Sequence, residues 1–169
     1  TEDMLMTHRG LSGPACLQIS SYWQPGDTLT FAFCPEVDVA AELAAMKQNS
    51  PNRQLKTVLG QWFPERFIAV WLSEAEAQQR LQEYSKAGLA AIARRFTEWK
   101  IKPNNTEGYR TAEVTLGGVD VHALSSKTGE VKQAPGLYFI GEVVDITGML
   151  GGYNFQWAWA SGFVTGQVV

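Results

Sequence analysis

Residues 136–162, GLYFIGEVVDITGMLGGYNFQWAWASG, constrain the fold more than any other stretch of the chain. The continuous apolar run LYFI predicts a short buried strand, which Gly141 breaks. Glu142 then stands just past the strand's carboxyl end, where open α/β sheets bind ligands. A carboxylate there can accept hydrogen bonds from sugar or ribityl hydroxyls. Capping a nearby helix or pairing with an arginine is the plainer reading. Farther on, Gly151 and Gly152 precede a predicted helix in which Phe155, Ala158, Trp159, Gly162, Phe163 and Gly166 recur at helical spacing. The other faces carry Trp157, Ala160, Ser161 and Val164, also small or apolar, so the helix is expected to be buried all round.

The glycine pair matters because of what a helix start offers. Free N–H groups in the first turn and the helix dipole attract negative charge. Glycines let a flat ligand approach the backbone. Such a place suits the pyrimidine edge of a flavin, which gains negative charge on reduction. A tight turn with no ligand is the alternative.

The remaining sequence gives an α+β reading. MLMTHRGLSGP predicts a short strand, a turn and a helix start, with Ser12 as N-cap and Pro14 in the first turn. DTLTFAFCP alternates as a strand, with Leu29, Phe31 and Phe33 on one face. From about 38 to 99 the period is helical: Asp38 is a candidate cap, Ser73 and Glu76 form a capping pattern, and Leu89, Ile92, Ala93 and Phe96 make one apolar stripe. A polar loop, KIKPNNTEG, follows. YRTAEVTLGGV then predicts a strand ending at Gly117 and Gly118, and DVHALSSKTGEVKQAPG a polar hairpin.

Composition narrows the function classes. A net charge of −3 and no basic stripe give no electrostatic case for nucleic acid. Cys16 and Cys34 lack metal-ligand or C-x-x-C spacing, which fits core thiols of a reduced, cytoplasmic protein, and no metal cluster is expected. No signal peptide or membrane-length apolar run is visible. Six Trp in 169 residues suggest either an aromatic-rich core or a surface that something else covers. Both ends lie inside patterned sequence, so a fragment of a longer protein is expected, one whose exposed Trp-rich helix would promote self-association.

TLGGV at 115–119, PGLYFIGEVVD at 135–145 and GGYNFQWAWASG at 151–162 come in an order that resembles the C-terminal part of the HI0933-like (YhiN/BaiN-type) family of FAD- and NAD(P)-dependent oxidoreductases. More distantly they resemble the fumarate reductase flavoprotein superfamily. THRGLSGPACLQIS is similar to the family too. The resemblance covers essentially the whole chain and is weakest through the helical middle. It implies that residues 1–110 are the later part of a mostly helical inserted domain with short strands. Residues 111–169 would be the C-terminal strand–helix return to an FAD-binding α/β domain. By the same resemblance Gly141 and Glu142 lie near the ribityl and pyrophosphate part of FAD, Gly151, Gly152, Tyr153 and Asn154 beside the isoalloxazine, and Gly117 and Gly118 at a turn near the cofactor. After Lys127 and Thr128 the chain reads GEVK where the family has Met-Glu-Ser-Lys, which weakens any role for that hairpin. Val144–Ile146 replaces a Leu-Asp-Val.

No G-x-G-x-x-G occurs anywhere in the 169 residues, so this chain alone is expected to bind FAD poorly, and an N-terminal FAD-binding segment must come from elsewhere. The enzymatic expectation is a flavin oxidoreductase using NAD(P)H or a small-molecule substrate, with unassigned catalytic residues. The alternative is a non-catalytic structural or interaction module. His8 and Arg9 could face an active site, and His122 is a weaker candidate. GLSGP lacks the elbow of a serine nucleophile.

Overall fold

The computed structural model describes all 169 residues, Thr1–Val169. They form two compact units: Gly26–Pro103, continuous in sequence, and a discontinuous unit made of Thr1–Pro25 and Asn104–Val169.

The continuous unit is helical and is built from local signals. Strand β3 (Leu29–Phe31) opens it and pairs antiparallel with β4 (Trp99–Ile101) at its end, Leu29 opposite Ile101 and Phe31 opposite Trp99. Helix α2 (Val39–Asn49) starts where Asp38 accepts a hydrogen bond from the Ala41 N–H at 3.0 Å. Short helices α3 (Leu55–Leu59) and α4 (Glu65–Trp71) follow. Helix α5 (Glu74–Gln78) has the full capping box: Ser73 Oγ accepts from the Glu76 N–H, and the Glu76 carboxylate accepts from the Ser73 N–H. Helix α6 (Lys86–Thr97) buries the stripe read from its sequence, Leu89, Ile92, Ala93 and Phe96. These pack with Leu43, Leu55, Val58, Leu59, Phe63 and Leu81 into one core. Each such side chain contributes roughly 1.5–3 kcal/mol by leaving water. An aromatic group runs through this core. Phe96 stacks on Phe63 with centroids 4.7 Å apart, and Trp71 meets Trp99 edge-on at 5.2 Å.

In the discontinuous unit, β1 (Leu5–Met6) and β2 (Leu11–Ser12) form a small hairpin. Its turn is tied by Thr7, whose Oγ1 accepts from the N–H of Arg9 at 3.1 Å and donates to the Gly10 carbonyl at 2.9 Å. Helix α1 (Pro14–Ser20) has Pro at its start, as expected, but Ser12 belongs to β2 and Gly13 is the N-cap. Gly13 has a φ of +87°, and a Cβ there would lie 2.9 Å from the Leu5 nitrogen. The hairpin thus folds back too tightly for a capping side chain at that position.

From 104 to 152 the chain is mostly irregular. Neither predicted strand forms. In YRTAEVTLGGV only Val119 pairs, in a single parallel bridge to Val144; the positive φ of Gly117 and Gly118 ends any extended run. LYFI is held by Glu130 opposite Tyr138 and by the Phe139 N–H on the Gly129 carbonyl at 3.1 Å. That is one neighbour over a few residues, too little for a ladder. The polar hairpin survives as a bridge between Leu124 and Val131. Helix α7 (Tyr153–Thr165) closes the unit. Contrary to the expectation of burial all round, its row Phe155, Trp159 and Phe163 is 70–78% exposed. No helix is long and apolar enough to cross a membrane.

Candidate functional site

Helix α7 carries two unlike stripes. Opposite the exposed aromatics runs a row of polar or indole groups at 154, 157, 161 and 165, and each holds the backbone of a loop. Asn154 accepts from the Gly148 N–H at 2.7 Å and donates to the Gly148 carbonyl at 3.0 Å. Trp157 Nε1 donates to the Gly141 carbonyl at 3.0 Å. Ser161 Oγ accepts from the Gly141 N–H at 2.9 Å and donates to its own helix at Trp157 O, 2.8 Å away. Thr165 Oγ1 donates to the Thr128 carbonyl at 2.7 Å. Spacings of three and four residues put all four on one face. The sequence contained this signal, but the apolar period concealed it.

The eight residues expected near FAD sort by what they have left to offer. Gly141 is buried with a φ of +70°, and both its N–H and its carbonyl are engaged by α7. Gly118 lies against the 143–145 backbone: a Cβ would collide with the Val143 carbonyl, and Val119 bonds Val143 and Asp145 on either side at 2.8 and 2.9 Å. The Asn154 amide is committed to Gly148. Glu142 is exposed, and its Oε1 accepts from the Thr115 N–H at 3.3 Å; no arginine pairs with it. Gly117 and Gly152 have φ of +84° and +91° and open space where a Cβ would stand. Gly151 lies under the Tyr153 ring, which is otherwise exposed. No side chain caps α7.

The structure therefore gathers 115–119, 141–145 and 148–154 around the first turns of α7. A cavity of about 200 Å³ adjoins them, lined by Leu116, Thr147, Gly148 and Met149 on one side and by Gln18, Ser21 and Tyr22 from the end of α1 on the other. A second, mostly apolar hollow of about 360 Å³ lies between the 121–129 loop and α7. None of the eight residues lines it, and its volume alone does not make it the reacting centre.

The other candidates are not drawn in. His8 sits exposed on the β1–β2 turn, and the neighbouring Arg9 forms an ion pair with Glu107. His122 is exposed in a short 3₁₀ turn, its N–H on Asp120 at 2.8 Å. Cys16 and Cys34 are free, and burial pushes the Cys16 thiol pKa up, which leaves it less reactive. No group of three or more His, Cys, Asp or Glu could hold a metal ion.

The open residues fit a flavin. Gly117 and Gly152 offer bare backbone that a side chain would otherwise fill, and the uncapped start of α7 presents N–H groups to negative charge. Glu142 is free to accept from hydroxyls. The G-x-G-x-x-G phosphate motif does not occur among the 169 residues.

The family model described as HI0933-like protein barrel and H2TH domain matches residues 1–114, and the HI0933-like protein Rossmann domain matches residues 87–168. A ribosomal RNA dihydrouridine synthase from Escherichia coli K12 is 49% identical over 167 residues, 98% of this chain and 42% of that protein. Its counterpart from Haemophilus influenzae is 48% identical over 161 residues, 95% of this chain and 40% of that protein. A 3-dehydro-bile acid delta(4,6)-reductase from Clostridium scindens is 29% identical over 178 residues, 99% of this chain and 44% of that protein. The chain spans about two-fifths of the length of these curated relatives. With a family model over its first 114 residues and a second over 87–168, the chain belongs to the HI0933-like family of flavoproteins.

Proposed function

We propose that this chain is part of an FAD-dependent reductase that adds two hydrogens across a carbon–carbon double bond conjugated to a carbonyl. A preceding segment supplies the phosphate-binding glycine motif and the remaining strands of the FAD domain. The observation that carries the reading is the open glycine cradle at the uncapped start of α7, inside the segment that matches the family's Rossmann domain.

The relatives' names share one chemistry. Dihydrouridine is uridine with its C5=C6 bond saturated, and a delta(4,6)-reductase acts on conjugated double bonds. In either case one carbon takes a hydride and its neighbour a proton, while NAD(P)H is oxidised to NAD(P)⁺. Bound FAD supplies the hydride carrier. The chain's own residues would hold it: Gly117, Gly151 and Gly152 would admit the flat ring, the α7 N–H groups would favour its negative charge on reduction, and Glu142 would accept from its hydroxyls.

Uridine in ribosomal RNA is the substrate favoured here, on the 48–49% identity to the two synthases. Charge does not favour this choice, since Gly26–Pro103 carries ten Lys and Arg against nine Asp and Glu; the identity carries it. A base in folded RNA must also leave its stack to reach a buried ring. The test takes the full-length polypeptide with NADPH and ribosomal RNA devoid of dihydrouridine. Flavin absorption in the purified protein and a two-hydrogen mass gain at one uridine are the expected results. Flavin without RNA reduction, together with reduction of a steroid enone, would move the substrate to the small-molecule class of the bile-acid relative. No flavin even after added FAD would leave the non-catalytic module as the reading.

A further inference from the structure

We infer that Asn154 is a positioning residue for the flavin rather than one of its ligands, and that it acts by locking the glycine pair in front of α7. The inference rests on the flavoprotein reading above.

Asn154 is the second residue of α7, and its amide closes a ring with a single peptide position six residues back. Oδ1 takes the Gly148 N–H at 2.7 Å, and Nδ2 gives to the Gly148 carbonyl at 3.0 Å. The ring encloses Met149, Leu150, Gly151, Gly152 and Tyr153. The two glycines have φ of +110° and +91°. Free glycines range over many conformations and lose the most entropy when fixed. Here the closure fixes them before any ligand arrives. The fold-back is tight: a Cβ at Gly148 would stand 2.8 Å from the Tyr153 Cβ. The first-turn N–H groups of α7 are thereby aimed at one spot, and the cofactor does not have to order the loop on binding.

The side chain type follows from this geometry. Only a primary amide gives one donor and one acceptor in the plane that a backbone N–H and C=O require. Aspartate keeps the acceptor, loses the donor, and sets a negative charge where the flavin's pyrimidine edge gains one on reduction. Alanine loses both.

The experiment uses Asn154→Ala and Asn154→Asp in the full-length polypeptide and in the 169-residue chain, with Thr165→Val as the control. Thr165 makes the same kind of side-chain bond to a loop, at the far end of the same helix. Amide hydrogen exchange in the 169-residue chain reads the loop without any cofactor. Alanine is expected to raise exchange at Gly148, whose N–H the Asn154 amide holds, by about tenfold. In the full-length protein it is expected to weaken FAD binding by about tenfold and to move the flavin midpoint potential to more negative values. Aspartate is expected to move the potential further than alanine does. Thr165→Val is expected to lower the melting temperature with FAD affinity and potential unchanged. Uptake of FAD by Asn154→Ala with unchanged affinity and potential overturns the assignment, as does unchanged exchange in the loop. Failure of the unsubstituted full-length protein to take up FAD overturns the flavoprotein reading itself, and the exchange data then report only on the loop.

Discussion

Trp157 and Gly141 are bonded through the indole: Nε1 donates to the glycine carbonyl at 3.0 Å, and Gly141 is buried. Trp71 is the counter-example, a half-buried indole whose buried Nε1 has no acceptor. The same substitution at the two sites separates hydrogen bonding from packing. Trp157→Phe removes one of two donors to the buried Gly141 carbonyl, the Val144 N–H at 3.2 Å remaining, and is expected to cost about 0.5–1.5 kcal/mol. Trp71→Phe removes an unpaired donor, so its cost is packing alone and is expected to be the smaller. Urea unfolding of the two variants, each followed by circular dichroism, checks the order.

The glycines are expected to rank by what a methyl would meet. Gly118→Ala drives a Cβ into the Val143 carbonyl and should be the most damaging of three. Gly141→Ala has room, 3.7 Å to the Ala158 Cβ, but is strained by its φ of +70°. Gly152→Ala meets open space and carries the strain of positive φ alone, about 1–2 kcal/mol. Melting temperatures of the three should fall in that order, with Gly152→Ala alone affecting FAD binding more than stability.

Acid should weaken the helical unit through Glu76. Its Arg95 partner, Oε1 to guanidinium 2.8 Å, and the Ser73 N–H together hold its pKa down to about 2 from 4.5. A carboxylate with a depressed folded-state pKa stabilises the fold above the unfolded value. That contribution is lost as pH falls from 4.5 toward about 2. Both side chains are partly exposed, so the pair is expected to contribute about 0.2–1 kcal/mol and to weaken with salt. Glu76→Gln should therefore be less stable than the parent at pH 7. The gap should close across that acid window in paired denaturation curves.

The row Phe155, Trp159 and Phe163 leaves an apolar strip exposed on α7, and the isolated chain is expected to self-associate through it. Trp159→Lys is expected to shift the chain toward monomer in sedimentation velocity. Trp159 is 78% exposed, so the melting temperature should change little. A monomeric parent at the highest soluble concentration would remove this expectation.

What the sequence revealed was mostly local. Asp38, Ser73 with Glu76, and the stripe Leu89, Ile92, Ala93 and Phe96 read correctly because caps and helical period act within a few residues. β4 was missed, since Trp99–Ile101 becomes a strand only through a partner some 70 residues away. LYFI was misread on both counts: it makes a single bridge, at Tyr138, and Leu137 and Ile140 are exposed. At the site, the segments were legible but the roles were not. The family resemblance put Asn154 beside the ligand, and the structure adds that its amide is turned back onto Gly148. The inward face of α7 went unnoticed because Trp, Ser and Thr do not stand out in an apolar helix.

The pairing of Leu29 with Ile101 bears on the order of assembly. The two strands that enter and leave the helical unit run side by side, so the unit begins and ends at nearly the same place. To the discontinuous unit, Pro25 and Asn104 are separated by a long loop while those intervening residues are unfolded. Once β3 and β4 zip together, that loop shrinks to a few residues, and the entropy of closing it has already been met. The inserted helices thus act as a clasp: their own folding brings the two halves of their host within reach of each other.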